Sequence, residues 1–316
     1  KSHRGSRDRE MIRFGQDEAH IRMFVKKDGI SRKIDMHLKK TKPKGIAIDG
    51  IPIKRASELF GILNIVFFSP EDLNIIKSGP GERRRFMDLE LCQLNKLYLS
   101  NLSSYNRVLN QRNKLLKDIA FQPSLKGTLD VWDEQLANYG VSIIESRKAF
   151  VEEMNSIIEE IHRNITGGKE KIRLFYEPST QGDCFLGELS SGRDRDIRFK
   201  MTSIGPHRDD LCVKVNDIDI RKYGSQGQQR TTALAARLAE IDLIREETGE
   251  LPVLLLDDVF SELDESRQKY LLESIDGLQA FVTCTGIEDS VRKYISRDNL
   301  FYVENGTIIP QKENRH

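Results

Sequence analysis

Leu254-Leu255-Leu256-Asp257-Asp258, with Val253 in front of it, limits most tightly what this chain can become. Four consecutive aliphatic residues fit a strand covered on both faces. Such strands belong to sheets with helices packed above and below them. The two carboxylates stand at the C-terminal end of the run, where open α/β sheets bind their ligands. One carboxylate can hold Mg²⁺, a hard cation that prefers oxygen and keeps part of its water shell. The next can orient or deprotonate an attacking water. Taken alone, the same pattern also describes a strand that simply ends in a turn.

The flanking sequence fills in an α/β layout. Ile21, Met23 and Val25 alternate before Asp28-Gly29, and Ile34, Met36 and Leu38 alternate after it, as in a hairpin. Ile46, Ile48, Asp49-Gly50, Ile51 and Ile53 predict a second one. Ile62 to Phe68 reads as a buried strand that stops at Ser69-Pro70-Glu71-Asp72. Beyond Pro80-Gly81 a helix starts near Glu82, with Leu94, Tyr98, Leu102, Tyr105 and Leu109 on one face. After a break at Ser124 to Thr128, Trp132, Leu136, Tyr139, Ile143 and Phe150 continue the helical spacing. Two long amphipathic helices then form an antiparallel arm, either a partner-binding arm or a plain helical layer. No a/d heptads are sustained, so a long coiled coil is not expected.

Gly167-Gly168 closes the arm, and the polar residues 179 to 198 read as a loop. Leu211, Val213 and Val215 form a strand that turns at Asn216-Asp217 into Ile218 and Ile220. A helix follows Gln229 and stops at Gly249. A helix from Ser266 to Ile275 joins the aliphatic strand to a second one, Ala280 to Thr283, making a βαβ unit. Asn305-Gly306 predicts a closing hairpin.

Several classes are excluded. The 316 residues suggest about two domains. At 38% hydrophobic the chain can build a core, and nothing approaches the ~20 apolar residues of a membrane span. With 50 Lys and Arg against 49 Asp and Glu, net charge does not announce a nucleic-acid binder, although clusters such as Arg83-Arg84-Arg85 still can. The four cysteines form no CxxC pair, so neither a cysteine zinc site nor a disulfide framework is expected, which fits a reducing cytosol.

A second motif stands upstream of the carboxylates. Tyr223-Gly224-Ser225-Gln226-Gly227-Gln228-Gln229-Arg230 runs straight into a helix. Glycines let backbone approach an anion, and a helix N-terminus offers free N–H groups and positive potential. A capped helix after a glycine loop is the plainer reading. The order of parts decides for the first: phosphate-facing loop, helix, strand with Asp-Asp, Ser261-Glu262-Leu263-Asp264, further buried strand. This resembles the ABC-type ATPase head. Ser225 to Gln229 looks like the signature motif, Asp257-Asp258 like Walker B, and Ser261 to Asp264 like the D-loop.

Within that superfamily the chain resembles the RecF family. Three segments carry the resemblance: Pro70-Glu71-Asp72-Leu73 through Arg83-Arg84-Arg85-Phe86-Met87-Asp88, then Gly205-Pro206-His207-Arg208-Asp209-Asp210-Leu211, then Leu255 to Asp264 with Arg267. The resemblance implies a two-lobed head. Residues 1–80 and 250–316 would form lobe I, of mixed β structure, and residues 81–249 lobe II, with the helical arm and signature motif. It implies a cytoplasmic ATPase of DNA repair, replication and the SOS response. Such a protein binds single- and double-stranded DNA, dimerises on ATP, and acts with RecO and RecR to load RecA at gaps.

By the same resemblance the cofactors are ATP and Mg²⁺. Asp257 is the magnesium carboxylate and Asp258 the general base. Ser225, Gln226, Gly227, Gln228 and Gln229 contact the γ-phosphate held by the partner subunit, and Ser261 and Asp264 serve the dimer interface. The switch-loop histidine of many ABC heads is missing, and Thr285 is expected in its place. The P-loop pattern GxxxxGK[ST] is absent from the 316 residues, and about 40 residues carrying it are expected upstream of Lys1. Two alternatives stay open: a non-catalytic DNA-binding or adaptor head without turnover, and a DNA-bridging head of SMC type.

Three cations near a helix start oppose the helix dipole, so Arg83, Arg84 and Arg85 point to a nearby phosphate, or else to a solvated basic face. Arg107, Arg112, Lys114 and Lys117 on the arm are either a DNA-tracking row or a solvated face. His207 and Arg208 are expected to order their loop with Asp209 or Asp210 rather than do chemistry.

Overall fold

The computed structural model describes residues 7–27, 29–285 and 300–310. It opens on an antiparallel sheet of β1 (Glu18–Lys27), β2 (Ile30–Lys39), β3 (Gly45–Ile48) and β4 (Ile51–Pro52). Asp49 and Gly50 both take positive φ, 52° and 85°, which makes the β3–β4 connection the tight hairpin turn that matches strand twist. Asp28, in the first expected turn, lies outside the described residues.

A parallel sheet carries the aliphatic signal. β5 (Ile65–Phe68) and, much later in the chain, β10 (Ala280–Thr283) flank β9 (Val253–Asp257). Between β5 and β9 lie α1 (Asn74–Lys77), α2 (Pro80–Leu94), α3 (Lys96–Ile119) and α4 (Leu129–Thr166). Next come β6 (Ile172–Glu177), α5 (Phe185–Ser191), α6 (Arg193–Phe199), β7 (Asp210–Val215), β8 (Ile218–Asp219), α7 (Ile220–Tyr223) and α8 (Gln226–Thr248). β6, β7 and β8 form a further antiparallel sheet. α9 (Glu265–Ser274) joins β9 to β10 as expected, and β11 (Phe301–Glu304) pairs with β12 (Thr307–Pro310).

The arm is α3 against α4, and α4 also covers α8 and β6. Val66, Phe68, Leu254, Leu256, Ile143 and Phe150 share one buried cluster, so the parallel sheet and the arm close a common core. The helical run read as continuous from Glu82 breaks at Asn95. Its side chain accepts the amides of Leu97 (2.8 Å) and Tyr98 (3.0 Å) and starts α3 afresh.

Residues 179 to 198 are not a plain loop, because they contain α5 and α6. Their composition is turn-like, but Phe185 and Leu189 stand four residues apart and are fully buried. Phe185 fits a slot bounded by Gly140 and Gly205. Gly205 has φ of 117°, and a Cβ there would lie 2.5 Å from Tyr105 Oη and 2.6 Å from Phe185 Cζ. Gly205→Ala is therefore expected to cost about 1–3 kcal/mol through strain and overpacking. Urea denaturation checks this, and a loss below about 0.5 kcal/mol contradicts it.

Candidate functional site

β9 ends on Asp257, which is paired in register with Thr283 of β10. Thr283 Oγ1 donates to Asp257 Oδ1 at 2.6 Å. Asp258 follows with φ of 53°, a left-handed conformation that Asp tolerates better than most residues. Its N–H donates to the Thr283 carbonyl at 3.0 Å, and its own carbonyl accepts from Ser261 Oγ at 2.8 Å. These bonds turn the chain sharply at the strand's end and bring Ser261 against the paired carboxylates. Asp258 Oδ1 is buried and has no hydrogen-bond partner among the described residues. A buried carboxylate oxygen without a partner is costly, and a bound group is a natural way to satisfy it. Thr285, expected at the switch position, is exposed two residues beyond Thr283. The hydroxyl that meets the Asp257 carboxylate belongs to Thr283.

The signature segment is a capped helix start. Ser225 Oγ accepts the Gln228 amide at 3.2 Å, and Gln228 Oε1 accepts the Ser225 amide at 3.0 Å, a reciprocal capping box. Gln228 Nε2 also donates to Glu170, which reaches the fully buried His162 at 3.1 Å. Gln229 is buried, and its Nε2 donates to the Ile220 carbonyl at 3.1 Å. Gln228 and Gln229, expected in a loop, lie in the first turn of α8 and are committed to fixing that helix start, while Ser225 and Gln226 face solvent. Gly224 allows the tight entry, since a Cβ there would lie 2.7 Å from the Ile220 carbonyl oxygen. At Gly227 a Cβ would meet only Ser225 Oγ at 3.9 Å and Arg267 Nη2 at 4.0 Å, so the loop surface is open there.

Arginines tie these parts together. Arg230 of α8 pairs with Glu262 and donates to its carbonyl at 3.3 Å, linking α8 to the Ser261–Asp264 segment. Asp264 caps α9 by accepting the Arg267 amide at 3.0 Å. Arg237 donates to Asp72 at 2.6 Å and to Glu240 at 2.8 Å, joining α8 to the segment after β5. Burial pushes Glu90 up to about 7, and Glu240 is raised by the same cause. Arg230, Glu262 and Thr283 stand inside segments the sequence singled out, but their pairing with one another and with Asp257 gave no signal, because strand register and helix packing make them neighbours.

The basic triplet is not one anion patch. Arg83 is 4% exposed and grips Asp210 through two bonds of 2.6 and 3.0 Å, so it leaves the candidate phosphate set. Arg84 donates to the Asp209 carbonyl at 2.7 Å, and exposed Arg85 pairs with Glu82 at 3.6 Å. On the arm, Arg112 is wholly buried and fits neither a DNA-tracking row nor a solvated face, while Arg107, Lys114 and Lys117 are exposed.

The Gly205 to Asp210 segment orders the loop. Asp209 is fully buried and accepts from the Ser179 amide (2.8 Å), Tyr176 and Arg147. His207 Nε2 meets the Thr202 carbonyl at 3.1 Å, so it carries the proton, and Nδ1 accepts from Tyr105 at 2.7 Å. Burial pushes its imidazole down to about 4. A depressed pKa gives stability that is complete above the ordinary value near 6.5 and lost as pH falls toward 4. Between pH 7.5 and pH 5 this group's share of the loss is expected to be about 2 kcal/mol. His207→Gln should remove that share; equal pH slopes for wild type and variant in urea titrations would refute it.

No family model matches the chain. A DNA replication and repair protein RecF of Agathobacter rectalis is 59% identical over 308 residues, spanning 98% of this chain and 85% of that protein. A protein of the same name from Lachnospira eligens is 58% identical over 311 residues, 98% and 86% of the two chains. A solved structure of the recombination mediator protein RecF with ATP, described in the RecFOR pathway, superposes with a TM-score of 0.89 at 34% identity. It covers 99% of this chain and 85% of that one. An SMC head bound to the C-terminal winged-helix domain of ScpA shares the fold, with a TM-score of 0.50 at 16% identity over 93% of this chain and 73% of that one.

Proposed function

This chain belongs to the RecF family, and on that premise we propose that it is the DNA-binding ATPase head of recombinational repair and replication. ATP would close two copies into a dimer on DNA, and RecO and RecR would act with it to load RecA at gaps. The observation that carries the reading is Asp258, held in a left-handed turn at the end of a central strand with one carboxylate oxygen buried and unpartnered among the described residues.

Each residue has a task in this reading. Asp258 is placed to accept a proton from the attacking water. Asp257 fits Mg²⁺ as an oxygen donor at the strand end, oriented by Thr283. Bound there, the ion would neutralise charge on the transferred phosphoryl group. Ser225, Gln226 and the open surface at Gly227 would meet the phosphate of nucleotide on the partner subunit, with Gln228 and Gln229 fixing the loop. Ser261 and Asp264 would report that contact to Walker B, because Ser261 binds the Asp258 carbonyl and Glu262 is tied to Arg230 of the signature helix. Exposed Arg85 remains available to phosphate, with Arg84 beside it. Among the described residues no helix is long and apolar enough to cross a membrane.

The test is nucleotide-dependent assembly. In a RecF chain that includes the GxxxxGK[ST] loop, ATP should shift the protein from monomer to dimer and tighten its hold on gapped DNA. Sedimentation and fluorescence anisotropy with and without ATP measure both. Indifference of both to ATP would favour a non-catalytic adaptor head.

A further inference from the structure

The β1–β2 ribbon carries a set of metal-ligating side chains that the ATPase reading does not use. His20 stands directly opposite His37 in the antiparallel register, and Glu18 lies two residues before His20 on the same face. The two imidazoles stack with centroids 3.9 Å apart and planes inclined by 24°. His37 Nε2 is 2.8 Å from Glu18 Oε2. One ligand atom from each of the three residues falls within 4.8 Å of the others. The neighbouring carboxylate is committed elsewhere, since Asp35 is held by Arg22 at 2.6 Å.

We propose that His20, His37 and Glu18 bind one divalent transition-metal ion of the zinc type, which clamps β1 to β2. Two imidazoles and one carboxylate are the donor set such borderline ions favour, at about 2.0–2.2 Å, with water in the fourth position. Hard ions such as Mg²⁺ prefer sites made wholly of oxygen and compete poorly here. Stacked rings present their nitrogens side by side rather than at one point. The site is open, with the His37 and Glu18 side chains 31% and 54% exposed, so rotation about the side-chain bonds brings the nitrogens together. The ion takes the place of the hydrogen now shared between His37 Nε2 and Glu18. That proton moves to Nδ1 or to solvent, so any proton lost on binding is taken up by buffer. Lys39 Nζ, 3.6 Å from Glu18, is displaced into water when the carboxylate turns to the metal.

The proposal stands apart from the nucleotide reading and is tested without ATP. The full chain is titrated with ZnCl₂ by calorimetry and with Co²⁺ by visible absorption, in the presence of millimolar Mg²⁺. One ion per chain is expected, with a cobalt spectrum showing nitrogen ligands. His20→Ala and His37→Ala should each weaken binding about tenfold or more, Glu18→Gln should weaken it measurably, and the double histidine variant should abolish it. Zinc should also slow hydrogen exchange of β1 and β2 amides in the wild type alone. Uptake unchanged in the double variant would place the ion elsewhere and overturn the proposal. So would an absence of stoichiometric uptake by the wild type, or displacement of zinc by Mg²⁺. These residues lie on a solvent-facing strand surface, so circular dichroism should show every variant folded.

Discussion

Asp258→Asn is expected to lower ATP turnover by about 10²–10⁴-fold, the range a positioned general base contributes. Asn matches Asp in shape and also tolerates the left-handed backbone that this position requires, φ of 53°. The turn, its amide bond to the Thr283 carbonyl and the Ser261 contact should survive. What disappears is the carboxylate proposed to take the proton. Nucleotide binding and ATP-dependent dimers should therefore persist, and dimers should live longer because hydrolysis no longer releases them. The assay uses a RecF chain that carries the GxxxxGK[ST] loop, a pattern absent from these 316 residues. Steady-state phosphate release and sedimentation with ATP give the two readouts. Turnover within about threefold of wild type would remove Asp258 from the base role.

Arg112→Ala is expected to destabilise the protein by about 3–5 kcal/mol. Arg112 is 0% exposed and donates to Asp133 at 2.6 Å, Asp196 at 2.7 Å and Thr202 at 2.8 Å. Those contacts join α3, α4, α6 and the residues just beyond α6. Truncation takes the cation from the buried Asp196 carboxylate and leaves it, among the described residues, only the Ser203 amide and hydroxyl as donors, at 3.1 and 2.6 Å, while Asp133 keeps Arg193 at 2.6 Å. Removing one partner of a buried ion pair costs more than the pair is worth, because the remaining charge has lost its water and its counter-charge. Arg112→Lys should recover only part of the loss, since an ammonium cannot reproduce the planar fork that reaches both carboxylates. Urea denaturation at pH 7 measures both variants. A loss under about 1 kcal/mol for Arg112→Ala would show that water reaches the site and solvates the acids.

Both predictions rest on one contrast in how the molecule is built. In the proposed nucleotide-facing parts, backbone bonds and caps set the geometry: the Ser225–Gln228 box, the Asp264 cap and the Asp258 turn. In the arm and the segment that closes it, buried arginines do so: Arg112 with Asp133 and Asp196, and Arg147 with Asp88 and Asp209. Local chemistry leaves marks in a sequence. Side-chain pairing over long separations does not.

Linear order alone therefore determined the aliphatic strand with its two carboxylates, the helix after it, the body of the helix read from Gln229 onward, the glycine stops at Gly167 and Gly249, and the Asp49-Gly50 and Asn305-Gly306 hairpins; that the helix already begins at Gln226 came from the structure. Periodicity, caps and turn residues act within a few positions of one another, so they can be read directly. Tertiary structure decided the rest. It gave α5 its helix by offering Phe185 a slot between two glycines, and it broke the arm helix at Asn95. It drew Arg83 and Arg112 inside, where carboxylates 127 and up to 84 residues away neutralise them. It set Thr283 against Asp257. A charged residue's place depends on whether an opposite charge arrives beside it, and only the closed chain supplies that charge.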